Sequence, residues 1–450
     1  MNKEFVTFMK GCNMAGGSNI SVVFDEFLFL KIFRTFRMAI QPTKLIITSV
    51  ALGLICLSGW LMDFSRTVAI SRNINGKIVN SELQIYMNSD THLEARAGIE
   101  SLRESGQHSG VFKILWSSAA TSFKNAVDSV YEHSILGVAS NINAFFRSLE
   151  WAVRYHFIYC FIFFIIVLAV LSAAGGSICR IAALQNAQGE KPGLSEAVRF
   201  GTKRFKSLFI APLLPYLIIL AVGIFIFIPG LLGNIPKAGD IIVGLGMPLA
   251  LFAGSLIAVV LIGAITGFNL MFPAVAYDGS DSFDSISRSF SYVYSRPWRM
   301  LFYSSVAAIY GSISYTFVRV IAFLALSATR TFLQFVIWTK NSDGQVNKID
   351  AIWPKPEFRN LFGTSTVEAV TWPEKIGHFL VYICVLVIVG LVVSFIISFY
   401  FSANTIIYSL LRNKVDNTEI TDIYTYYNES DSEPTIPGSL QKQAESEPEA

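Results

Sequence analysis

The order of apolar and polar positions divides the chain into six long apolar runs, 45–62, 155–177, 208–232, 241–271, 301–328 and 378–411, separated by segments in which charge returns. Each run reaches the roughly 18 residues that a membrane-crossing helix needs. The runs are continuous and do not alternate, which selects helices over the strands of a barrel. Ahead of the third and fifth runs stand shorter segments with an apolar stripe and a basic flank. In the first of these, Leu194, Val198, Gly201, Phe205 and Leu208 recur every third or fourth residue, while Arg199, Lys203 and Lys206 form another stripe after the break at Pro192 and Gly193. In the second, Phe283, Ile286, Phe290, Val293 and Tyr294 form the apolar face. Asp281 is placed to cap its first turn with Asp284 three residues on, and Arg296-Pro297-Trp298-Arg299 turns the chain into the next run. A third segment precedes the first run, with Phe24, Phe27, Leu28, Phe36 and Ile40 alternating with Lys31, Arg34 and Arg37.

This pattern predicts an all-α polytopic membrane protein of six transmembrane helices, with a candidate plan of three repeats, each an amphipathic elbow helix followed by a helical pair. Composition agrees: 53% of the residues are hydrophobic and only 15% charged, against about half and about a quarter in an ordinary globular protein. The first run begins too far into the chain, and lacks the small-residue cleavage site, for a removed signal peptide, so it is expected to stay as an anchor. Basic residues gather in 1–44, in the elbows 178–207 and 274–300, and just after 411, which by the positive-inside tendency puts both termini in the cytoplasm. Residues 63–154 and 329–377 are then extracytoplasmic, although 330–375 also carries six basic residues beside five acidic ones. The first of these segments should be partly helical, since Phe112, Leu115, Ala119, Phe123, Val127 and Val130 fall at helical spacing. The second reads as turns at Asn341 to Gly344 and at Trp353-Pro354-Lys355-Pro356. From Arg412 onward three basic residues face nine acidic ones, a net of −6 that leaves +9 on the rest; this terminal stretch reads as a disordered acidic tail. The basic surplus sits at the ends of the apolar runs, where it serves topology and lipid headgroups. No nucleic-acid partner follows from it.

The blocks GGSICRIAALQ (175–185), EKPGLSEAVRFGTKRFKSLF (190–209) and AVAYDGSDSFDSISRSFSYVYSRPWRMLFY (274–303) resemble those of a bacterial family of uncharacterised multi-span integral membrane proteins. The elbow-then-span pattern is more distantly similar to the membrane domain attached to some glycerophosphoryl diester phosphodiesterases, whose catalytic domain has no counterpart in this sequence. The resemblance implies a multi-pass protein of the bacterial inner membrane and transfers no activity.

Few residues invite chemistry. The five cysteines and five histidines show no metal-ligand spacing, and no nucleophile elbow, phosphate loop or dinucleotide fingerprint stands in a suitable context, so neither a cofactor nor catalytic residues are assigned. Arg319 is the one ionisable residue placed well inside a run. It lies about 28 Å along a helix counted from Met300, where it is expected to snorkel to the outer interface and pair with Asp240 or Asp63. Gly263 and Gly267 form a GxxxG that lets the fourth run approach a neighbour closely. Pro212, Pro215 and Pro229 mark candidate helix breaks of the transporter kind. Arg199, Lys203, Lys206, Arg296, Trp298 and Arg299, with Tyr292, are expected at the lipid headgroups. Two functional readings follow. One is a non-enzymatic scaffold or accessory protein that works through membrane lipids and protein partners; the alternative is a transporter or lipid-handling permease. A polar cavity inside the bundle favours the alternative, and an apolar, sealed bundle favours the scaffold.

Overall fold

The computed structural model describes residues 27–424 except 73–77, 90, 106, 237, 341–346, 359 and 364–370. Phe24, the turn at Asn341 to Gly344 and the acidic tail beyond 424 therefore lie outside the described residues. A 3-10 helix, Phe27–Arg34, and α1 (Thr35–Ala39) lead into the first long helix, α2 (Pro42–Met62). A small lobe follows, made of β1 (Val68–Arg72), β2 (Ile78–Ser81), α3 (Glu82–Asn88), α4 (His92–Ser105) and β3 (Gln107–Ser109), and then a helical hairpin, α5 (Val111–Tyr131) and α6 (Ile135–Tyr155). The chain continues through α7 (Phe157–Ala187), the short α8 (Leu194–Lys203) and α9 (Phe205–Ile210), and the pair α10 (Leu214–Leu232) and α11 (Gly239–Asp278). It ends with α12 (Ser282–Ser295), α13 (Pro297–Val336), α14 (Lys348–Ile352) and α15 (Trp372–Val415). Six of these helices, α2, α7, α10, α11, α13 and α15, are long and apolar enough to cross a membrane. Their alternation defines two ends of the bundle: an elbow end, with α1, α8, α9 and α12, and a loop end, with the lobe and α14.

The core lies at the elbow end. There the returning helices α7, α11 and α15 pack on one another in all three pairings, and 174–184, 270–277 and 401–412 are buried without interruption. Small residues make this approach possible: the Phe401 ring lies where a side chain at Gly175 would begin. The outgoing helices α2, α10 and α13 each pack on the helix that returns after them. Each elbow packs on the returning helix of the pair before it: α8 on α7, α12 on α11, and the N-terminal elbow on α15, closing the ring. The N-terminal elbow is held by aromatic edges, Phe33 on Tyr310 at 4.9 Å and Phe36 on Phe317 and Phe395 at 5.9 Å.

The contact face of α8 coincides only in part with the stripe read from sequence, of which Gly201 and Leu208 are buried. Ala197, Phe200 and Gly201 are buried, whereas Leu194 and Val198 are exposed. Lipid tails are as apolar as leucine, so an apolar stripe at the bilayer does not say whether protein or lipid will cover it. For the same reason Tyr292, expected at the headgroups, is buried against the Tyr408 ring with its hydroxyl donated to Asp416.

The bundle also holds more buried charge than the apolar runs suggested. Helices α7, α11 and α15 are 31, 40 and 44 residues long, well beyond the ~20 that cross a bilayer. Their elbow-end extensions carry Arg180, Asp278 and Arg412 into a protein core instead of lipid. Asp278 forms an ion pair with Arg412 at 3.1 Å and accepts hydrogen bonds from Arg288 at 3.4 Å and from the Tyr408 hydroxyl. Lys44, expected at the headgroups with the other basic residues, is fully buried and donates to Ser402 at 3.2 Å.

Residues 412–424, assigned from composition to a disordered tail, are ordered. The chain folds back after Val415, buries Ile423, and donates the Tyr424 N–H to the Tyr277 carbonyl at 2.9 Å. Gly279, left-handed at φ 64°, makes this possible, because a side chain there would begin 2.7 Å from the Tyr424 ring.

At the loop end the lobe contains a three-stranded antiparallel sheet in the order β2-β1-β3. The strands have three to five residues, too short for an alternating signal to stand out. Glu82 is fully buried at its centre and accepts from the Ala69 N–H at 2.8 Å, from Arg103 at 2.9 and 3.1 Å, and faces His156 at 3.4 Å. Burial pushes the Glu82 carboxyl up, but the hydrogen bonds from His156, Arg103 and Ala69 outweigh it and hold the group below its ordinary value. Of the expected proline breaks, one forms: Pro212 lies in the turn between α9 and α10, whereas Pro215 sits in the first turn of α10, Pro229 lies within it near its end, and α11 runs unbroken through Pro248 and Pro273.

Candidate functional site

The α5 and α6 hairpin does not stand clear of the bundle. Tyr131, at the end of α5, donates its hydroxyl to the Ser312 carbonyl at 2.9 Å and lies 2.7 Å from the Thr316 hydroxyl, while Phe123 packs edge-on to Tyr315 at 5.3 Å. Ser312 lies fifteen residues past Pro297 on α13, about 22 Å along the helix at 1.5 Å per residue. The hairpin thus leans on the middle of a membrane-crossing helix, and its tip shows Ile135 and Leu136 more than four-fifths exposed.

Beneath the hairpin lies a cleft of about 360 Å³ between α11, α13 and α15. Phe123, Val127, Val130 and Val138 of the hairpin form its roof, and Ala307, Ala308, Phe395, Phe399 and Ala403 form its walls. Polar groups are few and grouped: Asn269, Ser304, Ser312, Tyr400 and Asn404, with the Tyr400 hydroxyl donated to the Asn269 carbonyl oxygen. Helix α13 packs mainly on α15, and α11 reaches the cleft through Asn269. Its size falls within the ~300–1,000 Å³ of small-molecule sites. Among the described residues no charged side chain lines it, and no group of three His, Cys, Asp or Glu is gathered anywhere to hold a metal ion. Such a lining binds an apolar chain and offers a hydrogen bond or two to a polar group attached to it.

The residues singled out from sequence take other places. Arg199, Lys203 and Lys206 are exposed on α8 and α9; Arg296, Trp298 and Arg299 are exposed at the junction of α12 and α13, with Trp298 four-fifths exposed. Gly263 and Gly267 are buried, but they receive an elbow and not another crossing helix: the Phe290 ring lies within 2.9–3.3 Å of where their side chains would begin. Arg319 pairs with neither Asp240 nor Asp63. Its guanidinium donates to the Phe358 carbonyl at 3.0 Å and stacks on Phe358 and Tyr315, because the loop after α14 folds over this stretch of α13. Asp240 is exposed at the start of α11. Asp63 caps α5, accepting the Phe112 and Lys113 N–H groups at 2.8 and 2.9 Å.

The cleft itself was not legible. Asn269 and Asn404 are polar interruptions in apolar runs, and their convergence with Val127 and Val130 comes from parts of the chain more than a hundred residues apart. Comparison with protein families, curated proteins and solved structures finds no match for this chain.

Proposed function

We propose that this integral membrane protein is a lipid-handling protein that holds one acyl chain of a membrane lipid in the cleft between α11, α13 and α15. The observation that carries the reading is the cleft's position: a mostly apolar chamber among membrane-crossing helices, roofed by a hairpin that reaches the middle of α13. An acyl chain in the cleft meets Ala307, Phe395 and Phe399, and its ester or hydroxyl head meets Asn269 and Asn404. On this reading the elbow end faces the cytoplasm of a bacterial cell, its exposed cations Arg199, Lys206, Arg296 and Arg299 lying against anionic headgroups of the inner membrane.

The test is labelling in lipid nanodiscs with a phospholipid that carries a diazirine on its acyl chain, followed by peptide mapping. Labels on 123–130 and 304–315 are expected, and Ala308→Trp, which fills the cleft from α13, should remove them while annular labelling elsewhere persists. Labelling that is uniform around the bundle and indifferent to A308W overturns the reading.

A second reading, the non-enzymatic scaffold, is favoured by α10 and α11. Their loop-end halves stand off from the other helices, with Leu220, Phe225, Leu245 and Phe252 all 64–80% exposed, a surface that a partner's transmembrane helix would cover. A partner protein recovered in fixed ratio from mild detergent, and lost when Gly223→Trp is placed on that surface, would support it.

A further inference from the structure

At the loop end of α2 a second cavity, about 720 Å³ and separate from the cleft, lies among Trp60, Arg66, His108, Lys113 and Trp116. Its construction starts from Asp63. Both carboxylate oxygens of Asp63 are taken, by the Phe112 and Lys113 N–H groups, and the Tyr159 hydroxyl donates to it at 3.0 Å. The chain leaving β3 is drawn so tightly onto this carboxylate that a side chain at Gly110 would begin 2.0 Å from it. The one acid of the cavity is therefore committed to capping α5.

The cations are not committed. Arg66 and Lys113 are exposed and form no ion pair among the described residues. Arg66 holds a left-handed backbone, φ 42°, that a residue with a side chain adopts at a cost; its N–H bonds back to the Asp63 carbonyl at 3.1 Å. That geometry fixes the residue at the cavity rim. The Asp63 carboxylate turns its oxygens to the Phe112, Lys113 and Tyr159 donors, so the cavity sets two cations, Arg66 and Lys113, with the His108 imidazole, against one acid already engaged in hydrogen bonds.

Its depth says what would meet those charges. Helix α2 has 21 residues, about 30 Å, the thickness of the hydrocarbon core, so its last turn ends at the headgroup level. Trp60 and Trp116 are exposed there, as interfacial aromatics are, and the neighbouring Phe64 is 89% exposed.

We propose that this cavity binds the phosphate of a glycerophospholipid: Arg66 and Lys113 hold the phosphate oxygens, His108 supplies a further polar contact, and Trp60 and Trp116 flank the glycerol. An arginine fork and an ammonium are the usual partners of such a group. The proposal is independent of the acyl-chain cleft.

The experiment uses the full chain in maltoside detergent, which carries no phosphate, and measures by calorimetry the binding of dihexanoyl phosphatidate and, separately, of inorganic phosphate. The lipid is expected to bind, with the Arg66→Gln, Lys113→Gln double variant weaker by tenfold or more, as the loss of charge-assisted hydrogen bonds implies. The charge-keeping variant Arg66→Lys, Lys113→Arg should restore most of the affinity. Inorganic phosphate binding at least tenfold more weakly than phosphatidate identifies the lipid as the source; equal affinities would overturn the lipid assignment in favour of a free anion. A double variant that melts like the parent and binds phosphatidate equally well overturns the site altogether. In A308W the tenfold dependence of this binding on Arg66 and Lys113 should persist, which separates failure of this site from failure of the cleft.

Discussion

Replacing Asp278 by asparagine tests how the elbow end is held. The carboxylate side chain is 5% exposed and meets two arginines of different burial, Arg412 at 10% and Arg288 at 38%. Breaking a buried pair leaves an uncompensated charge and costs about 3–5 kcal/mol, whereas a partly exposed pair is worth about 1 kcal/mol or less. The amide oxygen of the D278N side chain still accepts a hydrogen bond from Tyr408, and Arg412 keeps Asp422 at 3.3 Å. The expected loss is therefore about 3 kcal/mol, at the low end of the range for a broken buried pair. A double-mutant cycle in mixed micelles, using D278N, R412Q and R288Q, should give a coupling of about 2–3 kcal/mol for Asp278 with Arg412 and under about 1 kcal/mol for Asp278 with Arg288. Because Arg412 also donates to the Asp422 carbonyl at 2.6 Å, amide exchange across 416–424 should rise in D278N as the folded-back segment loosens. Equal couplings for the two arginines, or a D278N protein as stable as the parent, would refute the assignment of the elbow-end core to the Asp278–Arg412 pair.

Two further outcomes are expected. The folded-state value of Glu82 is lowered, so the stability it lends the lobe is present above the ordinary carboxylate range near 4 and is lost as pH falls through the lowered value. Amide exchange of 68–109 should therefore accelerate on acidification in the parent, while Glu82→Gln should be less protected by about 2 kcal/mol at neutral pH and flat across that acid window. Gly263→Val drives a side chain into the Phe290 ring and should cost about 1–3 kcal/mol by overpacking; Phe290→Ala in the same chain should recover part of it, which thermal unfolding in detergent would read.

Continuous apolar runs and basic elbows were enough to predict six membrane-crossing helices and an all-α bundle, because apolar length and residue charge are properties of each segment alone. Asp281 as the cap of α12 was legible for the same reason: the Asp284 N–H that it accepts lies three residues away, at 2.8 Å. What each segment touches was not. The GxxxG of α11 announced a close approach but not that Phe290 of an elbow would fill it, and an apolar stripe on α8 could not distinguish a lipid-facing from a protein-facing side. Arg319 met a carbonyl and two rings instead of an aspartate, and Asp63 was spent on a helix that begins 48 residues later. The three-way packing of α7, α11 and α15, the cleft under the α5–α6 hairpin and the basic cavity at the end of α2 each join residues far apart in the chain. Their partners are chosen by shape and by the need to satisfy buried polar groups, and only the folded chain brings those together.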